Sequence, residues 1–177
     1  MAKIQTLPDL WLISDARNDA ALENALARLP RKSGFVYRHY HLAPEQRRAR
    51  FAALARLARA RGHTVVLADS AATACEWGAN GIYGPPHSLH RAPGLLRVAT
   101  AHDLAEIAQA NRAGADAVML SPAFVTRSHP GDTALGPVRF RLLADRAAMP
   151  VIALGGMTVR RTRRLEWPRW AAIDGLS

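Results

Sequence analysis

One cysteine, Cys75, stands among 177 residues, so no internal disulfide can form and a reducing, cytoplasmic setting is expected. No run of about 18 apolar residues occurs, so no membrane-spanning helix is expected. The opening stretch, "MAKIQTLPDLWLISDARND", reaches acidic residues too soon for a secretory leader. Lysine is nearly missing: two of the 24 basic residues are Lys, and the rest are Arg. Aromatic residues make up 6% and are not interleaved with the arginines. No nucleic-acid motif is present either, so a nucleic-acid partner is not expected despite a formal net charge of +10. Seven histidines are scattered without metal-like pairing. His39/His41 and His87/His90 have no nearby Cys or third ligand to make a zinc site. There is no P-loop, no GxGxxG fingerprint and no Ser-His-Asp order to prefer.

What is present is an alternation. Nearly half of the residues are apolar, at 49%, which fits a folded globular chain. Short apolar runs alternate with helical patterns: "LWLIS" then "DAALENALARL", "FVYRHYHL" then a basic helix, "HTVVLAD" then "SAATACEWG". "GIYG" is followed only by the loop "PPHSLHRAPG". "LLRVAT" precedes "HDLAEIAQANRAG", "DAVMLS" precedes "VRFRLLADRAA", and "PVIALGG" precedes a short helical segment. "WAAIDG" is the last strand pattern. Runs such as "VVLA", "AVML" and "VIAL" are continuously apolar, as parallel strands buried on both faces are. Eight strand–helix units imply parallel strands with crossover helices. The expected fold is a compact (β/α)8 TIM-type barrel over residues 1–177, one domain, with some helices missing or shortened. An open flavodoxin-like sheet is the alternative. In the basic segment "EQRRARFAALARLARARG", Phe51, Leu54, Leu57 and Ala58 fall on one helical face, and the arginines are expected to form a solvated one.

In a barrel the chemistry sits at the C-terminal ends of the strands. Those ends carry Asp15, Arg38, Tyr40, Asp69 and His87. Further along they carry Thr100, His102, the loop 121–136, Gly155, Gly156 and Asp174. Loops as long as "SPAFVTRSHPGDTALGP" are usually functional or disordered. The glycine pair lets backbone amides approach a ligand closely, or it is simply a tight turn. With Thr126 and Ser128 it could form an anion cup. Asp69 could bind Mg²⁺ together with a phosphate, or cap the helix that begins at Ser70. Thr100 could face substrate or cap the helix after the fifth strand.

The segment "GADAVMLSPAFVTRSHPG…LGPVRFRLLA…MPVIALGGM" resembles the second half of thiamine phosphate synthase and its thiazole-tautomerase relatives. "WLISD" and "RARGHTVVLADSAATACEWGANGIY" are similar to the corresponding earlier segments. The resemblance implies a (β/α)8 barrel that joins hydroxymethylpyrimidine pyrophosphate to a thiazole phosphate and releases pyrophosphate. It implies Mg²⁺ as cofactor and small phosphorylated heterocycles as partners. By position, Arg38 takes the place of a pyrophosphate contact, Asp69 that of a Mg²⁺ ligand, and Thr100 that of a residue near the substrates. Thr126, Ser128, Gly155 and Gly156 take the places of the thiazole-phosphate site, with His129 where the family carries Lys. The chain departs from the family at Val36 and Tyr40, which flank Arg38, and at Ala68. It has no acid in "GPPHSLH", and Pro122 stands where the tautomerase carries its functional His. Asp174 lies where a carboxylate would repel a phosphate. The implied reading is a thiamine-biosynthesis transferase. The alternative is an altered relative that binds a phosphorylated thiazole or thiamine phosphate in salvage or regulation. The oligomeric state, a homo-oligomer included, is open.

Overall fold

A computed structural model describes residues 6–126, 133–174 and 176. Eight parallel strands close into a barrel in simple sequence order. They are β1 (Leu10–Ile13), β2 (Gly34–Tyr37), β3 (Thr64–Leu67), β4 (Gly81–Gly84), β5 (Leu96–Ala101), β6 (Ala117–Leu120), β7 (Val151–Ala153) and β8 (Trp170–Ala172). Pairing of Leu10 with Trp170 between β1 and β8 completes the ring, which rules out the open sheet. Among the described residues, six α-helices cover the outside: α1 (Leu22–Arg28), α2 (Pro44–Ala60), α3 (Ala71–Glu76), α4 (Leu104–Ala113), α5 (Gly136–Ala144) and α6 (Val159–Leu165). After β4 there is only a 3-10 turn, Pro86–Ser88. Among the described residues, no helix is long and apolar enough to cross a membrane.

Two apolar cores follow from the two faces of each strand. Trp11, Ile13, Val36, Val66, Val98, Met119 and Ile152 fill the barrel. Leu12, Phe35, Tyr37, Val65, Leu67 and Leu120 point outward and pack under the helices. The period-2 pleat assigns alternate residues to the two cores. Trp11 is fully buried, and its indole donates to the Pro8 carbonyl at 2.8 Å. Its space exists because the paired position on β2 is Gly34. A Cβ there would fall within the indole ring.

Helix ends follow local chemistry. Asp103 caps α4 by accepting the Glu106 amide at 2.9 Å, and Glu106 reaches back to the His102 amide at 2.7 Å. Gly114 ends the helix with φ +62. Ser70 caps α3 through the Thr73 amide at 3.1 Å.

Three expectations need correction. The second strand stops at Tyr37 rather than running to Leu42, because His39 has φ +43 and the Leu42 amide turns back to its carbonyl. The buried stripe of α2 is Phe51, Leu54, Ala55 and Ala58. Leu57 is 39% exposed, since it lies one residue outside the i, i+3, i+4, i+7 stripe. The arginines of α2 are also not all solvated. The Arg47 side chain is 11% exposed, and Arg50 is ion-paired with Asp19 at 2.8 Å and with Glu23.

His63 joins two elements. Its Nδ1 accepts the Ser33 amide at 3.1 Å, so the proton sits on Nε2, which donates to the Leu26 carbonyl at 3.1 Å. Burial pushes its pKa down, and nearby Arg61 and Arg31 add to that against the pull of the Leu26 carbonyl.

Two predictions follow from this packing. Gly34→Ala overpacks the barrel and should cost about 1–3 kcal/mol or more, read as a lower midpoint in urea unfolding. For His63 the neutral ring is the folded form, while the unfolded chain takes up a proton near pH 6.5. Its contribution is therefore whole above about 6.5 and lost as pH falls below it. Thermal melts from pH 7.5 down to 5 should show a falling Tm, and His63→Gln should flatten part of that slope. An unchanged slope in His63→Gln would assign it to other groups.

Candidate active site

The inward column of each strand continues past the barrel and becomes polar. Trp11 and Ile13 lead to Asp15, Val36 leads to Arg38, and Val98 leads to Thr100. The same step of two places Gly156 beyond Ile152 and Leu154. Asp15, Arg38, Thr100, Leu154 and Gly156 line one cleft of about 960 Å³ at the C-terminal mouth.

On the β1–β2 side, the Arg38 guanidinium donates to Asp15 Oδ2 at 2.8 Å and, through Nε, to the Ser14 carbonyl at 3.0 Å. Arg17 meets Asp15 at 2.9 Å and Asp174 at 3.5 Å. Burial works against the charge on Asp15, but Arg17 and then Arg38 outweigh it and hold the carboxyl below its usual range. Asp174 lines the cleft as the sequence placed it, with a cation beside it. The backbone of Arg38 is held by a buried relay. Its amide donates to Ser14 Oγ at 2.8 Å, so the Ser14 proton is directed to His39 Nδ1, also at 2.8 Å. His39 Nε2 then donates to Asp19 at 2.7 Å.

Across the mouth, the loop after β6 is stitched to the end of β7. The Ala123 amide donates to the Leu154 carbonyl at 2.8 Å, and the Phe124 amide to the Gly155 carbonyl at 3.0 Å. Gly155 has φ +93 and Gly156 has φ +60. A Cβ on Gly155 would lie 2.7 Å from Pro122 Cα, and one on Gly156 would lie 2.5 Å from the Val125 carbonyl oxygen. Both glycines are therefore required by conformation and by close approach, more than a simple tight turn demands. Thr126 lines the same side. Ser128 and His129 lie outside the described residues.

Thr100 lines the cleft from β5 and does not cap α4, whose N-cap is Asp103. His102 also lines the cleft, with Nδ1 2.8 Å from Glu106. Tyr83, from β4, is pushed up to about 12 by burial, so its hydroxyl stays protonated. Tyr40, Asp69 and His87 stand outside the lining. Arg161 was not picked out from the sequence, though "GGMTVRRTRR" puts four arginines close behind the glycines. Its NH1 donates to the Gly156 carbonyl at 2.6 Å, and its guanidinium lies 5.4 Å over the Phe124 ring. Arg17 was missed in the same way, because its role depends on reach rather than on periodicity.

The residues present do not fit a protein-built Mg²⁺ cage. Arg47 donates to Asp69 Oδ2 at 2.5 Å, and the Ser70 amide donates to Oδ1 at 2.7 Å. Among the described residues, no group of three His, Cys, Asp or Glu could hold a metal ion.

Known proteins are similar to this chain in both sequence and fold. A "Putative thiamine-phosphate synthase 2" of Aquifex aeolicus (strain VF5) is 36% identical over 75 residues, which is 42% of this chain. That alignment spans 40% of the relative's own length. A thiamine phosphate pyrophosphorylase from Pyrococcus furiosus superposes with a TM-score of 0.79 at 21% identity, covering 96% of this chain and 87% of its own. FabK from Thermotoga maritima superposes at 0.68 with 15% identity, over 94% of this chain and 58% of its own. At such identities the superpositions speak for the barrel alone. The thiamine monophosphate synthase (TMP-TENI) family pattern matches residues 10–166, from the first residue of β1 to the C-cap just after α6, and the chain belongs to that family.

Proposed function

We propose that this chain is a thiamine phosphate synthase, joining hydroxymethylpyrimidine pyrophosphate to a thiazole phosphate. The observation that supports this reading is one cleft with guanidinium or backbone amide groups on two sides. Arg38 and Arg17 stand on one side, and the Gly155–Gly156 turn with Thr126 and Arg161 stands on the other. A reaction that brings a diphosphate and a monophosphate together needs both. The C–O bond to pyrophosphate breaks, and the leaving group departs with the electron pair. The thiazole nitrogen then shares its lone pair with the pyrimidine methylene carbon, giving the C–N bond and a thiazolium. No protein nucleophile is required. The chain contributes fixed positive charge near the departing anion and backbone amides near the retained phosphate. Among the described residues, the amides of Gly155 and Gly156 have no hydrogen-bond acceptor, which suits them to a phosphate.

A second reading rests on the Arg38–Asp15 contact. In it, Arg38 serves the rim, and the chain binds a phosphorylated thiazole or thiamine phosphate without condensing it. Mixing the purified chain with both substrates and following thiamine phosphate by fluorescence after oxidation separates the two. No product with either Mg²⁺ or EDTA present would discard the synthase reading.

On the synthase reading, Arg38→Ala should lower kcat by about a hundredfold or more, in line with loss of one preorganised donor. Affinity for thiazole phosphate should stay nearly unchanged. If turnover is intact and only Tm falls, Arg38 is a structural residue. Gly156→Ala forces the loop off β7, and should weaken thiazole phosphate binding by roughly tenfold or more in calorimetry. Binding of pyrophosphate should be spared. Equal loss of both ligands would show that the two sides are not separate.

A further inference from the structure

The family resemblance places a divalent cation beside Asp69 to share the charge of a diphosphate, and the structure puts something else there. Arg47, in the first turn of α2, aims its side chain along the barrel rim. Its NH1 meets Asp69 Oδ2 at 2.5 Å, NH2 donates to the Ala68 carbonyl at 3.0 Å, and Nε donates to the Arg38 carbonyl at 2.8 Å. Aromatic rings surround the guanidinium: Tyr40 at 5.5 Å, Trp77 at 5.6 Å and Tyr37 at 5.9 Å. All three nitrogens are engaged, and the planar group is packed against π faces. The second Asp69 oxygen accepts the Ser70 amide, so both oxygens are in use. The neighbouring turn after β4 offers Pro85, Pro86, His87 and Ser88, with no carboxylate. Mg²⁺ asks for hard oxygen ligands in near-octahedral order, usually one or two carboxylates plus substrate oxygens. At Asp69 it would sit beside a guanidinium that cannot lose its proton.

We infer that Arg47 takes the cation's place, so that the chain accepts a diphosphate ligand without a resident divalent metal ion. The counter-charge of Asp69 is supplied by the sequence itself. The same side chain holds the carbonyl of Arg38, which lines the cleft, so Arg47 acts there by positioning. The diphosphate part of this inference rests on the proposed function; the metal part rests on the Asp69 geometry alone.

The test uses the whole chain, Mn²⁺ as a paramagnetic probe and methylene diphosphonate as a non-hydrolysable ligand. With protein alone, the Mn²⁺ spectrum should remain that of the free ion. In calorimetry, methylene diphosphonate should bind in EDTA, and added Mg²⁺ should not tighten it beyond about threefold. Asp69→Asn should leave both results unchanged. Mn²⁺ immobilised by the protein alone would overturn the inference. A gain with Mg²⁺ larger than that, or its loss in Asp69→Asn, would overturn it too. If methylene diphosphonate fails to bind with or without Mg²⁺ while Mn²⁺ stays free, the diphosphate reading falls and the synthase proposal falls with it.

Discussion

A fully buried indole inside an eight-stranded ring is the constraint on which the rest depends. Trp11 can lie there because Gly34, beside it on β2, has no side chain. Above that plug, Ile13, Val36, Val66, Met119 and Ile152 fill the barrel with smaller side chains. The strands are three to six residues long, so the apolar filling ends soon after them. One more step of the pleat brings Asp15, Arg38 and Thr100 to the mouth. The cleft is thus a continuation of the packing below it, and a rigid floor holds its polar groups in place.

Above this floor the rim is organised by arginine. Asp15 is held by Arg17 and Arg38, Asp19 by Arg50 and His39, and Asp69 by Arg47. Glu23 is held by Arg50 as well. The more exposed of these, such as Arg17–Asp15 with side chains 38% and 28% exposed, contribute little stability, of order 0–1 kcal/mol. Their effect is geometric: each carboxylate fixes a guanidinium that would otherwise wander on a long side chain. These paired arginines are anchors, and the formal excess of +10 stands beyond them.

The barrel was legible because its signal is repeated. Continuously apolar runs such as "VVLA" and "AVML" recur in step with helical stretches, and any one misread unit leaves the count intact. The glycine pair was legible because only glycine meets those backbone angles at no cost. Other features left no such trace. The turn at His39 falls inside an apolar, aromatic run that looks like strand, and a positive φ on a histidine has no sequence mark. Leu57 and Ala55 are two residues apart on a helix, and size favoured the wrong one. Arg47, Arg50 and Arg161 look like solvated arginines in the sequence. Each reaches a partner on another element, and a side chain of that length can find one in many directions.

The loop after β6 has a closed neck. The Leu135 amide donates to the Pro122 carbonyl at 2.9 Å, and the Gly136 amide to the Ala123 carbonyl at 3.1 Å. Its two ends are therefore tied to each other, and the first is also tied to β7. A loop pinned in this way can change length at small entropic cost, about 0.6 kcal/mol for each doubling. Neither β6 nor α5 need shift when it does. The length of that loop is thus free to drift among descendants while the barrel stays as it is, which separates change at the cleft from the evolution of stability.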